Sequence, residues 1–203
     1  MKRVLLVLPI LALAAAGCSH SPSTGLLRKY SARNSVASFQ LCHNYGCSDV
    51  AQTSLTEAEW VQVRAQFTPR ASDAAAEREQ IRRAVALIET IVGPKTGTDI
   101  DGPGAPIINF IRTGQMDCID EAYNTSMYLT FFAKDNLLAW HDVGIPAKRG
   151  MVIDRWFHNT ATIVERASGA PYTVDSWFGA NGAMPDVVPL QAWMDGWGPP
   201  EQG

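Results

Sequence analysis

Across residues 72–93, Ile81, Val85, Ile88 and Val92 recur on one stripe of a helix, and an apolar stripe of that length must be covered by other parts of the chain. The pattern starts near Ser72 and reads as stopping at Gly93-Pro94. A shorter helix precedes it, with Ser54 or Thr56 as cap, Glu57 and Glu59 in its first turn, and Trp60, Val63 and Phe67 on one side. Residues 96–106 are dense in Gly, Pro, Thr and Asp, which marks a surface loop bordering a site. A third helix is expected from Asp117 as N-cap, with Asp120 and Glu121 in its first turn and Ala122, Ser126 and Leu129 below Cys118 on its face. After Gly144-Ile145-Pro146 the period changes. Residues 156–165 and 172–178 have strand character and are separated by a turn containing Ser168-Gly169 and Pro171, so they read as an antiparallel hairpin. Helices followed by strands, with no internal repeat or heptad, predict an α+β domain in which helices pack on an antiparallel sheet.

The first residues are a different kind of segment. Lys2 and Arg3 form a positive start, residues 4–16 are apolar, and Ala15-Ala16-Gly17 lead into Cys18, the layout of a cleavable export signal too short to span a bilayer. Small residues directly before a cysteine resemble a lipobox. That resemblance implies that Cys18 becomes the lipid-bearing first residue of the mature chain, and Ser19 after it, in place of aspartate, implies the outer membrane, facing the periplasm. The expected organisation is a signal over 1–17, a polar tether over 18–37, and one domain over 38–203. Loss of Lys2 and Arg3 takes the formal charge from −3 to −5, which argues against nucleic acid as a partner. The remaining roughly 185 residues are enough to build one core without help from disulfides.

The four cysteines divide by position. Cys18 takes lipid. Cys42 and Cys47 are close in sequence and lie outside the reducing cytosol, where a short-loop disulfide is expected; zinc on Cys42, His43 and Cys47 is the alternative, with a spacing that fits no standard finger. Cys118 is left unpaired, and an unpaired thiol in an oxidising compartment is either buried or used.

At a helix start, unpaired N–H groups and the helix dipole favour a thiolate at Cys118, whereas Asp117, Asp120 and Glu121 oppose it, so an imidazole is needed. Of four histidines, His158 is the best placed: sixteen residues separate it from Asp175, which lets a hairpin set the two on one face. A turn between Arg166 and Ala167 makes the pair directly opposite; the later position hinted by Ser168-Gly169 makes it diagonal. Cys118, His158 and Asp175 then follow triad logic as nucleophile, base and orienting carboxylate. Taken singly, Cys118 also reads as a buried structural thiol, His158 as a satisfied strand histidine, Asp175 as a turn cap, and Trp156, Trp177, Trp193 and Trp197 as core and rim packing.

Asp117-Cys118-Ile119-Asp120-Glu121-Ala122, Val143-Gly144-Ile145-Pro146-Ala147-Lys148, His158-Asn159-Thr160-Ala161 and Val174-Asp175-Ser176-Trp177, taken in order, resemble the transglutaminase-like branch of the papain-type cysteine peptidases. The resemblance covers the C-terminal half. It implies a cysteine-bearing helix on an antiparallel sheet that carries His158 and Asp175, with the Gly-Ile-Pro-Ala segment opening the strand after that helix. It further implies attack by the Cys118 thiolate on an amide carbonyl, protonation of the leaving amine by His158, and release of an acyl-thioester by water or an amine. The Cys118 backbone N–H and the Gln115 side chain are the candidate oxyanion donors. An aromatic residue commonly follows the histidine in that family; Asn159-Thr160 stand here, a departure that bears on the substrate groove. Some relatives bind calcium near the cysteine, which leaves Asp117, Asp120 and Glu121 open to that reading beside simple first-turn chemistry. No cofactor is expected. The expected function is a membrane-anchored cysteine hydrolase acting on protein or peptide substrates of the cell envelope. The alternatives are a transglutaminase or other acyltransferase, a cell-wall amidase, and a binding lipoprotein that keeps an inactive fold.

Overall fold

The computed structural model describes residues 33–104, 113–150 and 157–200. The expected export signal, Cys18, most of the expected tether and Trp156 lie outside them. In chain order the elements are β1 (Phe39–His43), β2 (Asp49–Thr53), α1 (Glu57–Ala65), α2 (Ala74–Thr96), α3 (Cys118–Lys134), β3 (His141–Val143), β4 (Ala147–Arg149), β5 (His158–Glu165), β6 (Pro171–Val174) and α4 (Leu190–Met194). The class is α+β, and among the described residues no helix is long and apolar enough to cross a membrane.

Short-range chemistry sets the helix starts. Thr56 caps α1 in a reciprocal box with Glu59, and Asp73 caps α2 by accepting from the Ala76 N–H. The end of α2 differs from expectation: the helix runs through Gly93-Pro94 to Thr96 and stops at Gly97, whose φ of 76° is the left-handed conformation of a terminating glycine. Pro94 removes one N–H near the end of the helix, a smaller loss than in its middle. The side chain of Thr96 supports the last turn by donating to the Val92 carbonyl at 2.9 Å.

β5 is the centre of the sheet. β6 pairs antiparallel along one side of it; on the other, β4 pairs with its first half and β3 with its second. The break between β3 and β4 is Gly144-Ile145-Pro146, where the Gly144 N–H donates to the Thr162 carbonyl at 2.8 Å and a Cβ on residue 144 would collide with the Thr162 side chain. α3 lies between this sheet and the β1–β2 hairpin, and α1 and α2 close the remaining side. Phe39, Val63, Ile81, Ile88, Phe132 and Ile163 meet in the shared core. The two hairpin strands and β3 were not anticipated, whereas β4 starts at Ala147, where the Gly-Ile-Pro-Ala segment was expected to open a strand. Residues 33–37, expected as the end of the tether, already join the fold: Asn34 is 6 % exposed and its Oδ1 accepts from the Gln40 N–H.

Candidate active site

α3 begins at Cys118 because Asp117 holds its first turn. One oxygen of Asp117 accepts from the N–H groups of Ile119 and Asp120 at 2.9 and 3.0 Å, and Asp120 Oδ2 accepts in return from the Asp117 N–H at 3.1 Å. The β1–β2 loop grips the same turn from outside: the Tyr45 and Cys47 N–H groups donate to the two oxygens of Asp120 at 2.8 and 2.5 Å. Cys42 and Cys47 are joined as a disulfide across that loop.

Cys118 is 3 % exposed. Its sulfur lies 3.9 Å from the Phe157 carbonyl oxygen, to which the thiol donates, and accepts from Asn159 Nδ2 at 3.6 Å. The residues on either side of His158 therefore both touch the sulfur. Burial pushes the thiol pKa up, the side-chain and backbone N–H groups of Asn159 pull it down, and the carboxylates of Asp117 and Asp175 push it up again.

His158 and Asp175 are brought together by the β5–β6 register. Ala161 stands opposite Val174, which sets Asp175 level with Thr160, so the pair is diagonal and the turn falls at the later of the two expected positions. His158 Nε2 and Asp175 Oδ2 are 2.8 Å apart, and both residues are almost wholly buried. The same oxygen accepts from the indole N–H of Trp193 at 2.7 Å. Serving as acceptor for both, the carboxylate leaves the His158 proton on Nε2 and the lone pair on Nδ1. That Nδ1 is buried and has no hydrogen-bond partner among the described residues. Cys118 and His158 are not hydrogen-bonded to each other; their link runs through Phe157 and Asn159.

Trp177, Phe178 and Trp193 surround the imidazole at ring-centroid distances of 4.7, 5.3 and 5.3 Å. They screen the His158–Asp175 pair from water and so strengthen it. Arg149 holds Trp193 in turn, with its guanidinium 4.4 Å above the ring and hydrogen bonds to the carbonyls of Trp193 and Trp197. The tryptophans, read from sequence as core and rim packing with a groove role open for one of them, thus include the second anchor of the carboxylate. Its one sequence signal is a cluster of aromatics after Asp175.

Gln115 sits three residues before the cysteine and is engaged with the preceding loop. Its Nε2 donates to the Ile100 carbonyl at 2.8 Å, its Oε1 accepts from the Gly102 N–H at 3.2 Å, and its backbone carbonyl accepts from Asn44 N–H at 2.8 Å. Among the acidic residues around Cys118, Asp117 Oδ1 and both oxygens of Asp120 accept backbone N–H groups. The one described cluster of three donor atoms with metal-like spacing is Cys42, Cys47 and Asp120, and its two sulfurs are tied up in the disulfide. Comparisons with protein-family models, with curated proteins and with solved structures return no match for this chain.

Proposed function

We propose that this chain is a thiol-dependent amide hydrolase, a peptidase of the transglutaminase-like, papain-type class, held by lipid on Cys18 at the outer membrane with its domain in the periplasm. The observation that carries the reading is the state of His158: one ring nitrogen is fixed on Asp175 while the other is buried, free and flanked in sequence by the two residues that touch the Cys118 sulfur. A buried polar nitrogen without a partner is costly, and such costs concentrate where a group is kept for chemistry.

In the proposed reaction the Cys118 proton passes to His158 Nδ1 and the sulfur attacks an amide carbonyl. Asp175 stabilises the imidazolium, which returns its proton to the leaving amine. Water then hydrolyses the acyl-thioester. The reaction requires the sulfur and Nδ1 to come into contact when substrate binds, and catalytic contacts that are long in the apo state commonly tighten in this way. The Cys118 backbone N–H at the start of α3 is the proposed oxyanion donor.

The test is comparison of new protein N-termini in envelope fractions treated with wild-type chain and with Cys118→Ala. Wild type is expected to produce a set of cleavages that Cys118→Ala and iodoacetamide-treated protein do not. Identical N-termini in all samples would defeat the peptidase reading. A biotinylated primary amine included in parallel reports acyl transfer, since its Cys118-dependent incorporation into proteins would identify an amine as the acceptor.

A further inference from the structure

We propose that Asn159 is a catalytic residue, its side-chain amide and backbone N–H forming the donor pair that carries the negative charge on the Cys118 sulfur during attack. This rests on the thiol-hydrolase reading above and adds to it a function for the residue where the chain departs from the family pattern.

Charge and geometry both lead to Asn159. The titratable groups around the sulfur are Asp117 from the start of α3, Asp175 just after β6, and His158, which lies in sequence between the two residues that touch it, with Asp120 and Glu121 following on α3 itself. Every one except His158 is an acid, so a thiolate formed here is opposed by its neighbours. In the proposed reaction His158 takes the sulfur's proton; its Nε2 lies on Asp175 and its Nδ1 has no hydrogen-bond partner among the described residues. The nearest donors to the sulfur are those of Asn159, with Nδ2 at 3.6 Å. The Phe157 carbonyl at 3.9 Å suits the thiol, because it accepts the S–H, but it repels a thiolate. When the proton moves to His158 Nδ1, the electron pair stays on sulfur. The sulfur then loses its contact with Phe157 and keeps its contact with Asn159. The new S–C bond forms from that pair as the carbonyl π electrons move to oxygen. A hydrogen bond to an ionised partner is stronger than one to a neutral partner, so the Asn159 contact tightens in the charged state. A neutral amide does this at every pH, without adding a proton to the site.

The test is the pH dependence of Cys118 alkylation by iodoacetamide in the full mature chain, followed by mass spectrometry on the Cys118 peptide, for wild type, Asn159→Leu, Asn159→Asp and His158→Ala. Leucine keeps the volume and removes the side-chain donors; aspartate keeps the shape and replaces the amide N–H groups with an acceptor. Both variants are expected to move the midpoint upward, by about one pH unit for leucine, so that alkylation below the wild-type midpoint slows about tenfold. The plateau rate at high pH, which reports access to the sulfur, is expected to stay unchanged. Whichever of the two variants folds, as judged by its melting curve, is decisive, and a profile superimposable on wild type overturns the assignment. His158→Ala separates this outcome from failure of the hydrolase reading. A profile altered by His158→Ala but not at Asn159 removes Asn159 and leaves the triad. A profile altered at Asn159 but not by His158→Ala keeps the donor pair and removes the triad.

Discussion

Asp175 Oδ2 accepts two buried N–H groups, from His158 at 2.8 Å and Trp193 at 2.7 Å, so the indole fixes the carboxylate that fixes the imidazole. Trp193→Phe keeps an aromatic ring in the core and deletes that donor. It is expected to lower stability by about 1.5–3 kcal/mol, the range for a lost hydrogen bond to a charged group, measured as a lower urea midpoint at unchanged m-value. Because the carboxylate would then be held from one side less, turnover of any cleaved envelope protein is expected to fall about tenfold. Full activity in a stable Trp193→Phe protein would reduce the indole to packing. Residues of this kind divide in how far they can be read from sequence. Asp117 was legible as a cap because its partners lie two and three positions away. Trp193 was not, because its partner is eighteen positions back and the bond exists only once α4 folds against β6.

At the scale of elements, the β1–β2 hairpin acts as a clip on the start of α3. Residues 44–47 all have positive φ, between 56° and 67°, and this left-handed run turns the Tyr45 and Cys47 N–H groups onto Asp120. Asn124 of α3 pairs with both backbone groups of Cys42 in β1, accepting from its N–H and donating to its carbonyl, each at 2.9 Å. Replacing Cys42 and Cys47 together by serine opens a loop of six residues and is expected to cost about 2 kcal/mol from chain entropy. Thermal melting with and without reductant checks it: wild type under reducing conditions should approach the double variant, and the double variant should not respond. Loosening of the first turn should also appear as faster amide hydrogen exchange at Ile119 and Asp120. An exchange pattern confined to the hairpin itself would show that α3 holds its own start. The β5–β6 hairpin was legible from its turn residues, and Ser168-Gly169 pointed to the diagonal register that is found, but β6 starts at Pro171, read as turn, and ends at Val174 rather than near Phe178. β3 and β4 have three residues each, too few to show alternation, and β1 starts two residues after the segment read as polar tether.

Across the whole molecule, acids are buried beneath the site in unusual number. Glu89 of α2, Glu121 of α3 and Asp101 of the intervening loop influence one another, and one oxygen of each glutamate has no hydrogen-bond partner. Burial raises Glu89 to about 8 and Asp101 to about 7, and pushes Glu121 up as well, with Glu89 and Asp101 adding to its shift. The unfolded chain ionises these groups near 4.5 and 3.8, so between those values and about 7–8 the folded protein holds more protons than the unfolded one. Stability therefore falls as pH rises through this window. Below it the sign reverses, because hydrogen bonds hold Glu59 and Asp73 lower than their ordinary values, and their contributions are lost as pH falls below about 4. The melting temperature is thus expected to peak in mildly acidic solution and to decline toward pH 8. Glu89→Gln replaces a group that must stay protonated with a neutral one of the same shape. It should flatten the decline and raise the melting temperature at pH 8 by roughly 2–4 °C for each kcal/mol relieved, with little change at about pH 4, below the start of the window. A Glu89→Gln protein whose melting curve keeps the wild-type slope between pH 5.5 and 8 would mean that Glu89 is ionised in the fold, and that the acids under the site carry charge.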